Sequence, residues 1–218
     1  MGTLIQDWEA IGSPKAVFLN CYRMMTNNTL AALAHGEFAD PRWVDRLLHR
    51  FADYYFEALE IYESDPLSAP VVWQLAHDTT RDPDALPLQN LLLGVNAHIN
   101  YDLVLTLDEL LQPEWAGLSE EARLERYNDY THVNDIIGRT IDQVQDEILA
   151  PMMPVAGIFD RLMGPLDELL LSHIITKWRE SVWENACRLL TGDEEIKREV
   201  MVEQVEAAAL DIGRMIRW

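Results

Sequence analysis

Residues 90–107 read NLLLGVNAHINYDLVLTL, an apolar run that carries Asn96, His98, Asn100 and Asp102 among its leucines and valines. At 100° per residue His98 and Asp102 fall one turn apart on one helix face, and Asn96 and Asn100 one turn apart on nearly the opposite face. Both sides must then face other protein, so the stretch reads as a buried central helix over about 88–111. A buried polar group without a partner costs about 1–3 kcal/mol, so four of them imply a hydrogen-bond network or a working site.

Helical periodicity continues outward in both directions, and no alternating strand pattern of useful length appears. Ser13-Pro14 opens a helix that runs to about His35 and stops at Gly36, and a second begins near Pro41 with Trp43, Leu47, Phe51, Tyr54, Ala58 and Tyr62 as its apolar stripe. A short helix over Val71 to His77 leads into the polar loop HDTTRDPDALP. Past the central helix, Ser119 starts a long amphipathic helix that PMMP ends after Leu149, and two more helices run from about Pro165 to Leu190 and from about Asp193 to Arg217. The fold class expected is all-α, a single-domain bundle of six to eight helices spanning 1–218.

Composition narrows the partners. Thirty-seven Asp and Glu against 17 Lys and Arg give a formal net charge of −20, which repels polyanions and argues against nucleic acid or an anionic membrane as partner. MGTLIQDWEA has neither the basic nor the apolar region of a secretory signal, and no apolar run reaches membrane-spanning length, so a cytoplasmic protein with a small-molecule ligand or substrate is expected. A homo-oligomer is compatible with the chain. Cys21 and Cys187 lie in apolar helical patterns and read as small buried hydrophobes.

An Asp one turn after a His either shares a metal ion with it or orients its ring by accepting the imidazole N–H. The expected metal ligands are His35, His77, His98 and Asp102, with zinc, iron or manganese as the divalent ion such N/O donors suit. In that reading His98, Asp102 and Asp78 form the catalytic set of a metal-dependent hydrolase, Asn96 and Asn100 orient the substrate, and Arg81 holds an anionic group. His49 and the stripe Asn128, His132, Asp135, Arg139, Asp142 and Asp146 read as solvated surface, and His173 as a core histidine with a partner.

Other chemistries leave weaker traces. Glu-x-x-His pairs, HExxH and G-x-S-x-G are all absent. His98-x-x-x-Asp102 is similar to an element of all-helical zinc phospholipases, but stands alone. Asn134 to Asp142 resembles the second metal motif of class I terpene cyclases, which implies a magnesium diphosphate enzyme, though no DDxxD accompanies it. The alternative from another class is a non-catalytic helical protein that binds a small apolar ligand or a partner, its Asn/His/Asp set an internal network.

The stretch LLLGVNAHINYDL, preceded by AHDTTRDPDALPLQN, resembles the signature region of a bacterial family of unknown function numbered 5995. The resemblance is most specific across His77 to Asp102. It implies that loop and central helix act as one unit, and it implies no activity.

Overall fold

Glycine 36 shows how local chemistry sets the helix boundaries. Its positive φ of 74° lets the chain turn back after α2 (Lys15–Ala34), with the Glu37 N–H bonded to the Ala32 carbonyl at 3.1 Å. Asp40 then caps α3 (Pro41–Ser64) by accepting from the Trp43 N–H, and Ser119 caps α7 (Glu120–Val144) by accepting from the Ala122 N–H. Before α2 stands α1 (Gly2–Ala10), which the sequence patterning did not anticipate; it buries Ile5 and Trp8. Between α3 and α7 lie α4 (Val71–Thr79), α5 (Pro87–Ala97) and α6 (Leu103–Trp115), and the chain closes with α8 (Glu168–Leu190) and α9 (Glu195–Ile216).

This computed structural model describes residues 1–152, 168–191 and 195–217, and among them there is no strand. The fold is the expected all-α bundle. Pro165, Gly192 and Asp193, at expected helix boundaries, lie outside the described residues. No helix among the described residues is long and apolar enough to cross a membrane.

The central helix is indeed buried. α5 and α6 form one continuous helical path joined by a π-turn over His98–Asp102, where the Leu103 N–H reaches back five residues to the His98 carbonyl. Around this path pack α2, α3, α4, α8 and α9. A second π-turn, Gln145–Leu149, extends α7 and continues helically through Pro151 to Met152. The expected stop after Leu149 is therefore displaced. Ala150 N–H already bonds the Gln145 carbonyl, so the turn before Pro151 is wound wider and does not depend on the N–H that proline lacks.

Two apolar clusters form the core, one built mainly on α1, α2, α4, α5 and the second half of α3, the other mainly on the first half of α3 with α6, α7, α8 and α9; Phe51, Val95 and Tyr101 pack against both. On α3 Tyr55 and Tyr62 are the buried tyrosines, while Tyr54 turns outward and donates to Glu109 at 2.9 Å. α2 and α5 approach closely because Gly94 has no side chain: a Cβ there would sit 2.5 Å from Phe18 Cγ. Gly94→Ala is expected to displace the Phe18 ring and cost about 1–3 kcal/mol, read as a lower urea midpoint at unchanged slope. A cost near zero would mean that Phe18 is not fixed by this contact.

Candidate site: a buried histidine on the wall of an apolar cavity

The four polar residues of the central helix divide their work by face. On one side Asn96 Nδ2 donates to the Ala209 carbonyl of α9 at 2.8 Å, and its Oδ1 accepts from Asn100 Nδ2 at 2.9 Å. These two amides dock the last helix against the central one. On the other side His98 Nδ1 lies 2.9 Å from Asp102 Oδ2, and Trp73 Nε1 donates to Asp102 at 3.0 and 3.1 Å from its two oxygens. His98 is 3% and Asp102 1% exposed, so bulk water does not reach them.

The neighbours of His98 are aromatic on nearly every side. Phe51 lies parallel to the imidazole with centroids 3.5 Å apart, Tyr22 meets it edge-on at 4.4 Å, and Phe18, Tyr55 and Trp73 stand within 6.3 Å. Phe18 and Tyr22 are one turn apart on α2, as are Phe51 and Tyr55 on α3, so each helix presents an i,i+4 aromatic pair to the same imidazole.

Burial in these surroundings disfavours charge on either partner. It pushes His98 well below the ordinary histidine range and Asp102 well above the ordinary carboxyl range, the latter only partly offset by the Trp73 N–H. One arrangement leaves both groups uncharged and satisfies the geometry. Asp102 donates its O–H to Nδ1 while its other oxygen accepts from Trp73, and the ring hydrogen of His98 then sits on Nε2.

That Nε2 is buried without a hydrogen-bond partner among the described residues, and the Tyr22 hydroxyl is buried as well, with the Thr26 side chain as its neighbour. His98 and Tyr22 line a cavity of about 150 Å³. Its remaining wall is almost wholly apolar, with Phe18, Phe51, Leu91, Ile99, Val133 and Ile137 among its members. Both π-turns border it, through His98 and Ile99 on one and Gln145 and Leu149 on the other. Cys21 also lines it, and burial pushes its thiol up to about 12, which keeps it an inert hydrophobe, as expected.

Of the site residues expected from sequence, His98 alone borders this cavity, with Asp102 behind it. Asn96 and Asn100 face α9 instead. His35 is exposed at the end of α2. Asp78 is exposed and accepts from the Tyr62 hydroxyl at 2.6 Å, and Arg81 is exposed over the Tyr62 ring at 5.1 Å. His77 is buried, stacked on Trp73 at 5.3 Å. With Asn90 it lines a separate cavity of about 20 Å³, about the size of one water molecule. His77 Nε2 and Asn90 Oδ1 are both without a partner among the described residues, as such a water would require.

Among the described residues no three His, Cys, Asp or Glu side chains gather into a metal-binding group. The donor set does not fit a divalent ion at His98, since Nδ1 is taken by Asp102, both Asp102 oxygens are taken by Trp73 and His98, and no further His, Cys, Asp or Glu among the described residues joins them. The terpene-cyclase-like motif is likewise occupied otherwise: Asn134 Oδ1 accepts from Arg179 Nε at 2.6 Å, while Asp142 is exposed.

The expected surface stripe on α7 is exposed at Asn128, Asp135, Arg139, Asp142 and Asp146; His132 is half-buried between Glu37 at 3.1 Å and Asp135 at 3.4 Å. His49 is exposed, as read. His173 corrects the sequence reading, because it is exposed and the buried polar residue of α8 is Arg179. Patterning held the signal: Arg179 falls four residues after Ile175 and three before Val182, on the apolar stripe of its helix.

Residues 1–217 match a family of unknown function, DUF5995. The chain belongs to this family. No curated protein and no solved structure matches this DUF5995 member.

Proposed function

We propose that this DUF5995 protein binds a small apolar molecule in the cavity beside His98, without chemistry at a metal. One observation carries the reading. A largely apolar cavity has on its wall a buried polar atom, His98 Nε2, that has no hydrogen-bond partner among the described residues, with the Tyr22 side chain packed beside it. Buried polar groups are nearly always hydrogen-bonded, and apolar pockets with a few convergent polar groups are where ligands bind. A cavity of about 150 Å³ accommodates a ligand about as large as a benzene ring. Two π-turns on its border fit the same reading, because such turns are frequent at functional sites.

The reading is tested by thermal unfolding and calorimetry with ethylbenzene and 4-ethylbenzyl alcohol as probes. Saturable binding to the wild type is expected, with loss of binding in Cys21→Phe, whose added ring grows into the cavity. Binding that Cys21→Phe leaves unchanged would overturn it. Stoichiometric zinc, iron or manganese in protein purified without tag or chelator, absent from His98→Ala, would overturn it in favour of the metal-dependent hydrolase expected from sequence.

A further inference from the structure

Arginine 179 stands on the wall of the same cavity and is 4% exposed. Its partners are all neutral. Nε donates to Asn134 Oδ1 at 2.6 Å, Nη2 donates to the Tyr130 carbonyl at 2.7 Å, and the guanidinium lies 4.3 Å from the Tyr130 ring centroid. Tyr130 Oη in turn donates to the Arg179 carbonyl at 2.6 Å, which fixes α7 and α8 to one another around the charge. Among the described residues no carboxylate pairs with Arg179, and Nη1 makes no hydrogen bond.

A buried cation without a counter-ion is an unusual element in any protein. Elsewhere Asp108 is held by Arg198, and the buried Asp129 carboxyl, which has no cationic partner among the described residues, has both oxygens occupied by the N–H groups of Ala39 and Asp40 at 2.8 Å each. Guanidinium is the side chain best matched to a carboxylate, which it grips by two parallel hydrogen bonds. A chain with a formal net charge of −20 also has ample acids to neutralise a buried arginine and places none there among the described residues. A cationic side chain on the wall of an apolar cavity favours a ligand with one anionic end.

We infer that the ligand of this cavity is a small apolar carboxylate, its hydrocarbon body against the Leu, Ile and Phe wall and its carboxylate paired with Arg179. The cavity volume limits that body to about the size of a substituted benzene ring or a short branched acyl chain. The inference rests on the apolar-ligand reading above and adds the chemical class. His98 Nε2, as an N–H donor on the same wall, favours an acceptor-bearing ligand as well. Arg179 was outside every candidate set read from sequence, where Arg81 was the expected anion holder. Arg81 is exposed and committed to Tyr62 and Asp78.

The test compares two ligands with the same body, 4-ethylbenzoate and 4-ethylbenzyl alcohol, by calorimetry on the full chain. The wild type is expected to bind the carboxylate about tenfold or more tightly than the alcohol, the size of one charge-assisted hydrogen bond. Arg179→Met is expected to abolish that preference and to retain affinity for the alcohol; Arg179→Lys, which keeps the charge and loses the fork, is expected to retain part of the preference. The wild-type comparison stands even where a variant fails to fold. Equal or tighter binding of the alcohol by the wild type, still blocked by Cys21→Phe, would overturn the carboxylate inference and leave the apolar cavity intact. Failure of both probes to bind would overturn both readings.

Discussion

Asp102→Ala is expected to destabilise the protein by about 2–6 kcal/mol, since it strands two buried hydrogen-bonding groups at about 1–3 kcal/mol each. The truncation leaves Trp73 Nε1 and His98 Nδ1 without partners in a region sealed by Phe51, Tyr22 and Phe18. Asp102→Asn separates two descriptions of the pair. Its amide donates to Nδ1 and its oxygen accepts from Trp73, so it copies the uncharged arrangement and is expected to cost less than about 1 kcal/mol. Urea unfolding of the two variants, at a pH where the wild type is two-state, reads both numbers. An Asn variant as unstable as the Ala variant would show that Asp102 is held as a carboxylate and that the neutral-pair assignment is wrong.

The second large effect is acid destabilisation through His77. Burial, followed by the nearby charges of Lys15 and Arg81, lowers its pKa from 6.5 to about 3. In the unfolded chain the imidazole takes its proton near its ordinary value, so below that pH the unfolded state binds more protons than the folded one. The stability His77 contributes is therefore complete above about pH 6.5 and is lost as pH falls toward 3. Between pH 7 and pH 4 the loss is about 3 kcal/mol, at 1.36 kcal/mol per pKa unit. His77→Gln, which cannot titrate, is expected to lose about that much less over the same interval. Parallel stability curves for the wild type and His77→Gln would contradict the assignment of His77 as a neutral buried imidazole. His98 and Asp102 respond to pH as one unit with opposing directions, so they are poor reporters for this measurement.

Helix by helix, the sequence was most legible where a local rule fixes the backbone. Gly36 marks the end of α2, Pro41 after Asp40 marks the start of α3, and Ser119 marks the start of α7, because the bond or dihedral that decides each boundary lies within four residues of it. The burial of 90–107 followed from polar residues distributed on both faces of an otherwise apolar helix. Pairing of His98 with Asp102, and of Asn96 with Asn100, followed from their i,i+4 spacing.

What the amino-acid order by itself determined is thus the helical class, most of the helix boundaries, the buried central helix and the pairs within it. Only the tertiary structure decided which neighbours each pair meets. Trp73 joins Asp102 across 29 residues and Arg179 comes to the cavity wall from α8, while His35, Asp78 and Arg81 remain on the surface. The physical reason is that helical periodicity specifies a face to within a turn but says nothing of which helix covers it. A site assembled from α2, α3, α5, α7 and α8 depends on the crossing of those helices, on a π-turn that re-aims His98, and on the missing Cβ of Gly94 that lets Phe18 approach.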